Sequence, residues 1–200
     1  MCRASTRTPS LPSDGKRESG VRRVRILGID PGFGRLGFGV IDVKGNRHTV
    51  VEYGCIETEP HMSTGPRLQR IYEGVSGVIR ERRPDAMGIE QLFFSRNVTT
   101  ALAASEARGV VVLAAQIAGV PQFDYTPVQV KQAVAGYGRA DKQQVQEMVR
   151  VLLGLSARPR PDDAADALAV ALAHAYLGLQ RQRIAELAQA SRAPGNSRLC

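Results

Sequence analysis

The chain has 200 residues, 43% of them hydrophobic, and a formal net charge of +8. This length can bury the core of one ordinary globular domain without disulfides or a structural metal. Its three cysteines are odd in number and widely spaced, and no apolar run approaches the ~20 residues of a membrane span, which argues against a disulfide framework and a membrane protein. The N-terminus lacks the apolar segment of a secretory signal, so we expect a reducing, cytoplasmic location.

Positive charge is concentrated at the two ends of the chain. Residues 1–23 are rich in Arg, Ser, Thr, Pro and Gly, and we expect a disordered basic extension there. Residues 179–200 predict a basic C-terminal tail, and residues 24–178 one folded domain, formally almost neutral. Such a nearly neutral domain can still bind an anionic partner such as nucleic acid if its acidic residues gather in one site and its basic residues line the surface that leads to it.

The first three predicted elements are strands. Val24–Asp30 is a short apolar run that ends in an acid before a Pro-Gly turn, which is typical of a central strand with Asp30 at its carboxyl end. Two more strands are predicted at Leu36–Val43 and His48–Thr58, with Lys44-Gly45-Asn46 as the turn between them. Consecutive strands with tight turns predict an antiparallel meander.

Helical periodicity follows the meander. Apolar residues recur every three or four positions from Pro66 to an Arg-rich end before Pro84, and they predict a helix. Ala86–Glu90 is a second apolar strand that ends in an acid. A loop at Gln91–Asn97 leads to a long helix, Val98–Ala118, whose small residues permit close approach of another helix. This helix is our candidate for a subunit interface, with simple core packing as the alternative.

The last third of the chain adds one strand and three helices. They are expected at Gln122–Tyr125, at Thr126–Ala135, from the capping residue Asp141 to Gly154, and from Asp162 to about Leu177. The order of elements predicts an α/β fold with one mixed five-stranded sheet. Three antiparallel strands are followed by two parallel additions, and helices flank the sheet.

Four acids stand where this fold would bring them together. Asp30 and Glu90 each close an apolar strand, and ligand sites of open α/β sheets lie beyond the carboxyl ends of strands. Asp163 and Asp166 share one face of the final helix, although acids in a first helical turn also serve simply to offset the helix dipole. Asp162 is a candidate N-cap. Asp166 lies inside an Ala- and Leu-rich run, where an unpaired carboxylate is costly, so a cation should lie near it.

Converging carboxylates must be neutralised. Two of them roughly 5 Å apart repel by about 3 kcal/mol at an effective dielectric constant near ~20. Either some are protonated or cations balance them, and two divalent ions would balance four carboxylates. Oxygen ligands favour Mg²⁺, with Mn²⁺ as a substitute, over Zn²⁺. A pair of such ions promotes phosphodiester hydrolysis, so the residues favour Mg²⁺-dependent cleavage of nucleic acid.

Basic and aromatic side chains are candidates for DNA contact. Lys142 stands in the first turn of its helix, where a cation opposes the helix dipole, and a phosphate contact would explain that position. Lys131 and Arg139 are weaker candidates, with solvated charge as the alternative. Phe93 and Phe94 are adjacent, so one of them is free either to stack on bases or to brace the following helix.

Seven short motifs occur in colinear order between about Arg25 and Leu177. They are Ile26-Leu-Gly-Ile-Asp-Pro-Gly32, Gly88-Ile-Glu-Gln-Leu-Phe93, Glu106-Ala-Arg-Gly109, Val130-Lys-Gln132, Lys142-Gln-Gln-Val-Gln146, Met148-Val-Arg150 and Asp163-Ala-Ala-Asp-Ala-Leu168. Each motif alone is modest, but their joint order is specific. The chain resembles the RuvC family of crossover junction endodeoxyribonucleases.

The resemblance implies an RNase H-like fold and Mg²⁺-dependent resolution of four-way (Holliday) DNA junctions by paired symmetric nicks in recombination and repair. It also implies a homodimer, partnership with the RuvA and RuvB branch-migration proteins, and a bacterial cytoplasm. A two-fold dimer would present two identical active sites, related as the two target strands are.

The family's functional residues fall on particular positions of this chain. Its metal-binding catalytic acids correspond to Asp30, Glu90, Asp163 and Asp166. Its junction-contacting lysines correspond to Lys131 and Lys142, and its base-stacking aromatic to Phe93 rather than Phe94. Asp162 has no constant counterpart in the family, so we interpret it as a cap.

Three other classes of protein fit the sequence less well. The YqgF type of RNase H-like protein shares the Gly-Ile-Asp-Pro-Gly start but is shorter and lacks the Ile-Glu-Gln and Asp-Ala-Ala-Asp combination. A sugar-kinase or actin-like nucleotide binder needs two such domains, which 200 residues cannot supply. A non-catalytic junction-binding module is disfavoured by the four intact acids.

Overall fold

The structure is a computed structural model that describes residues 22–92 and 98–178. Almost all of the expected N-terminal extension, the expected C-terminal tail and the candidate residue Phe93 lie outside these ranges.

Five strands and five α-helices form in the predicted order. The strands are β1 (Val24–Asp30), β2 (Arg35–Lys44), β3 (Arg47–Glu57), β4 (Ala86–Glu90) and β5 (Gln122–Tyr125). The helices are α1 (Thr64–Arg82), α2 (Val98–Ile117), α3 (Pro127–Ala135), α4 (Lys142–Leu152) and α5 (Asp162–Ala173), the last followed by a π-helical turn, His174–Gly178. The final helix was expected to continue to about Leu177, but its α-helical part ends at Ala173.

The strands form one mixed sheet in the order β3-β2-β1-β4-β5. β1 pairs antiparallel with β2 and parallel with β4, and β5 extends the parallel part from β4. This confirms the predicted meander followed by two parallel additions. The register of β1 with β4 brings Asp30 and Glu90 to the same sheet edge, because Ile29 pairs with Ile89 one residue earlier.

The sheet separates two hydrophobic cores. One core packs against α1 and α2 and includes Leu27 and Ile29 of β1. The other packs against α3, α4 and α5 and includes Ile26. Neighbouring residues of β1 face opposite sides, so both cores are built on the same central strand.

Helix α5 is buried, and its backbone packs closely against the backbone of the sheet. Its residues from Ala167 to Ala173 are all at most 1% exposed. A Cβ added to Gly28 of β1 would lie 2.1 Å from the Ala167 carbonyl oxygen, and one added to Gly37 of β2 would lie 2.0 Å from that of Asp163. Glycine is therefore required at these two positions, and the contacts fix the start of α5 above the ends of β1 and β2.

The helices α3 and α4 begin at reciprocal caps. The Asp141 side chain accepts from the Gln144 backbone N–H at 2.8 Å, and the Gln144 side chain accepts from the Asp141 N–H at 2.9 Å. Asp141 is thus the predicted cap. Thr126 and Gln129 form the same box at α3, so Thr126 precedes the helix that was expected to include it.

One helix within the described ranges, α2, is long and apolar enough between Thr99 and Ile117 to cross a membrane by length and composition. The expectation that no such run exists was therefore wrong on those criteria. However, Ala107 and Val111 of α2 lie in the core, and Arg108 Nη2 lies 2.6 Å from Asp124 Oδ1 of β5. These contacts make α2 part of the α/β domain.

Candidate active site

Two half-buried carboxyl groups meet where β1 and β4 end. Asp30 and Glu90 lie at the same edge of the sheet, and their side chains are hydrogen-bonded to each other. Burial and the neighbouring acids raise the pKa of Asp30 to about 7 and that of Glu90 to about 8. The pair therefore holds a proton at neutral pH in the absence of other cations.

The acids of α5 complete a group of four. The negative charges of Asp166 and Asp163 both raise the pKa of Asp30, so these two acids lie close to the pair at the strand ends. Burial, more than any neighbouring charge, raises the pKa of Asp166 as well. The structure thus brings together the four acids predicted from sequence, on the three elements expected to carry them.

Two cations already neutralise the acids of α5. Lys142 Nζ lies 2.9 Å from Asp166 Oδ2 and 3.7 Å from Asp162 Oδ2. Arg35 Nη1 lies 3.5 Å from Asp163 Oδ2. The cation expected near Asp166 is therefore Lys142, which starts α4 and was itself predicted to contact phosphate.

Asp162 is not a helix cap, contrary to expectation. It is the first residue of α5, and Pro161 occupies the N-cap position without a side-chain cap. The Asp162 carboxylate accepts instead from Arg160 Nη1 at 2.7 Å and pairs with Lys142. It serves as a further negative charge beside the site.

A cleft of about 230 Å³ leads to the acids between α3, α4 and α5. Glu90 and Asp166 line it together with Lys131 and Lys142. Both lysines predicted to contact DNA therefore stand at the acids. Arg139 is exposed on the loop between α3 and α4 and has no contact with an acid of the site within the ranges that the structure describes. Phe93 lies outside those ranges.

Arg35 is a charged residue of the site that was missed in the sequence. Its contact joins β2 to α5 across 128 positions of the chain. The only signal in the sequence was its place five residues after Asp30, at the start of a Gly-rich strand. That signal does not distinguish it from the other arginines near the meander.

The donor set fits a divalent metal ion in its chemistry. Four carboxyl groups, three of them with raised pKa, supply oxygen ligands that gain from a cation. Within 22–92 and 98–178, however, no three or more His, Cys, Asp and Glu side chains stand at metal-binding spacing. The proton shared by Asp30 and Glu90 and the cations Lys142 and Arg35 balance the site instead, so metal binding requires the side chains to rearrange.

Comparisons with known proteins identify the family of this chain. The model of the family "Crossover junction endodeoxyribonuclease RuvC" matches residues 26–174. The chain is 55% identical over 151 residues to crossover junction endodeoxyribonuclease RuvC of Desulfitobacterium hafniense, covering 76% of this chain and 92% of that protein.

Solved structures show the same architecture. T. thermophilus RuvC in complex with Holliday junction substrate is 42% identical, with a TM-score of 0.76 over 79% of this chain and 96% of that one. The yeast mitochondrial Holliday junction resolvase Ydc2, at 10% identity and a TM-score of 0.61 over 84% of each chain, shares the fold alone. These likenesses confirm the RNase H-like fold. The chain belongs to the RuvC family of crossover junction endodeoxyribonucleases.

Proposed function

We propose that this chain is a structure-selective endonuclease that resolves four-way (Holliday) DNA junctions by paired symmetric nicks in recombination and repair. The observation that carries the proposal is the convergence of four acids at one sheet edge, beside Lys131 and Lys142. Membership of the RuvC family and the likeness to a RuvC bound to Holliday junction substrate support the choice of DNA substrate. We assign the activity to a nuclease domain at residues 24–178.

The four acids are proposed to hold two Mg²⁺ ions per subunit, for which Mn²⁺ can substitute. They are Asp30, Glu90, Asp163 and Asp166. Burial is the main cause that raises the pKa of Asp30 to about 7 and that of Glu90 to about 8, so these two need a cation for full ionisation near neutral pH. When bound, such ions supply an activated water and stabilise the leaving oxygen of in-line phosphodiester hydrolysis.

The protein's own side chains then hold and orient the DNA. In the metal-free state Lys142 is paired with Asp166, and we propose that it turns to a DNA phosphate once that carboxylate has a metal partner. Lys131, on the same cleft, binds a second phosphate. Arg139 contributes charge from the exposed α3–α4 loop, and Phe93 is proposed to stack on a base at the junction.

A homodimer accounts for the pairing of the nicks. Leu102, Leu113 and Ile117 of α2 are 59%, 53% and 64% exposed and project from the side of the helix that does not contact the core. Such an apolar row is typical of a subunit interface. We propose a two-fold dimer through α2 that acts in the cytoplasm with the branch-migration proteins RuvA and RuvB.

The activity is tested with a synthetic mobile four-way junction and a linear duplex of the same sequence, each incubated with protein and Mg²⁺. Mapping of the cuts should show two nicks at symmetric positions on strands of like polarity in the junction and an intact duplex. Equal cutting of the duplex would contradict structure selectivity. Binding of the junction without any cutting would mean that the chain is a non-catalytic junction-binding module.

A further inference from the structure

Arg35 stands beside the acids on a different element from the two lysines. It is the first residue of β2, whereas Lys131 and Lys142 belong to α3 and α4. Its Nη1 lies 3.5 Å from Asp163 Oδ2, and its Nε donates to Glu57 Oε1 at 2.9 Å. The guanidinium therefore bridges the edge of the acid site and the end of β3.

The backbone that carries this guanidinium is fixed by the sheet. Arg35 and Glu57 are directly paired residues of β2 and β3, so their side chains meet across the strands. The Glu57 carbonyl accepts from Arg70 Nε of α1 at 2.6 Å. Two residues along β2, Gly37 contacts the backbone of Asp163 at the start of α5. The backbones of Glu57 and Asp163, whose carboxylates Arg35 contacts, are therefore both held by neighbouring elements.

The two contacts of Arg35 differ in kind. The bond to Glu57 is close and satisfies a cross-strand pair, whereas the contact with Asp163 is at the limit of hydrogen-bond distance. The Arg35 side chain is 49% exposed, and its Nη2 has no hydrogen-bond partner among the described residues. An exposed ion pair of this kind contributes little to stability. The guanidinium therefore has donors that are not used within the described residues and only a weak contact with Asp163.

We propose that Arg35 binds a phosphate of the DNA backbone on the β2 side of the four acids. Arg35 balances the charge of Asp163 only while divalent ions are absent. The inference rests on the proposed nuclease function and its metal site. Glu57 holds the guanidinium at Nε, which leaves both Nη groups available for two oxygens of one phosphate. With Lys131 and Lys142 on α3 and α4, Arg35 would give the DNA strand cationic contacts on more than one side of the acids.

The proposal predicts opposite changes in two affinities when the charge is removed by Arg35→Gln. Mg²⁺ binding, measured by calorimetry without DNA, should tighten by about two- to fivefold, because a competing cation has gone. Binding of a fluorescent four-way junction, measured by anisotropy with Ca²⁺ in place of Mg²⁺, should weaken. The slope of log affinity against log salt should fall by about one per subunit, as for the loss of one phosphate contact.

The matched control is Arg82→Gln, which removes an arginine at the end of α1, beside the start of β1, that pairs with Glu52 of β3 and should change neither affinity. Arg35→Lys keeps the charge and should restore Mg²⁺ affinity to the wild-type value. Weakening of both affinities in Arg35→Gln would show a structural role, and a change in only one or in neither would equally overturn the proposal. Failure of the wild-type protein to bind Mg²⁺ or the junction would instead overturn the proposed function.

Discussion

At the scale of single residues, the site is organised by the cost of burying charge. Asp30 and Glu90 share one proton, with pKa values of about 7 and about 8. Asp166 is paired with Lys142, and Asp163 with Arg35. Each carboxyl group thus has a partner that a divalent ion would replace, so we expect metal binding to release the proton and both cationic side chains.

This arrangement predicts how the stability of the metal-free protein depends on pH. Asp30 and Glu90 have higher pKa values folded than unfolded, so the folded state binds more protons and their contribution to stability is lost as pH rises from about 4 to about 8. Asp30→Asn removes one of these charges. The melting temperature of the variant minus that of the wild type should therefore increase steadily between pH 5 and pH 8 in EDTA.

Mg²⁺ provides the control for this measurement. Saturating metal should remove most of the wild-type pH dependence above pH 6, because the ions stabilise the ionised carboxylates. A difference in melting temperature that stays constant with pH would show that the two carboxyl groups titrate as they do in the unfolded chain.

At the scale of elements, the close packing of α5 on β1 and β2 sets the geometry of the site. A Cβ at Gly28 would overlap the Ala167 carbonyl and approach the Ala171 nitrogen within 2.6 Å, so the strand and helix would have to separate. Gly28→Ala should lower the free energy of unfolding, measured by urea denaturation, by about 3 kcal/mol or more. This value is at the upper end of the usual cost of overpacking a core.

A second alanine substitution serves as the control for this prediction. Gly65 lies near the start of α1 with no atom within 4 Å of an added Cβ. Gly65→Ala should leave the free energy of unfolding unchanged or increase it by up to ~1 kcal/mol. Equal effects of the two substitutions would mean that α5 does not require the close approach.

The sequence predicted most of these elements because their signals are local. A short apolar run ending in an acid identified both β1 and β4, and the Asp141 cap identified the start of α4. The partners of the acids could not be predicted in the same way, since Arg35 and Asp163 meet only through the packing of α5 on β2. Asp162 was misassigned because Arg160 and Lys142 compete for its carboxylate.

The error in the predicted C-terminal end of the final helix has a similar origin. The sequence continues in helix-forming residues to Leu177, but the structure changes to a π-helical turn from His174. The buried His174 Nδ1 lies 2.8 Å from the Tyr125 hydroxyl of β5. This contact with another element accompanies the change and has no counterpart in local helix propensity.

At the scale of the whole molecule, the exposed apolar row of α2 predicts the dimer. Leu113→Glu places a charge in the middle of that row and should shift the protein from dimer to monomer in sedimentation at micromolar concentration. Val151→Glu is the control, because Val151 of α4 is equally exposed, at 54%, but lies outside the row. A Leu113→Glu protein that stays dimeric would place the interface elsewhere or contradict the dimer.

Each subunit is proposed to carry one four-acid site, and the two sites of a dimer to cut one junction. Asp163→Asn should abolish cleavage while junction binding persists, because the lysines and Arg35 remain. Mixed dimers of one wild-type and one Asp163→Asn subunit, purified through two different tags, test the pairing of sites on a supercoiled plasmid with an extruded cruciform. Wild-type dimers should linearise the plasmid and mixed dimers should leave a nicked circle, whereas linear product from mixed dimers, or cleavage by the Asp163→Asn homodimer, would contradict the claim.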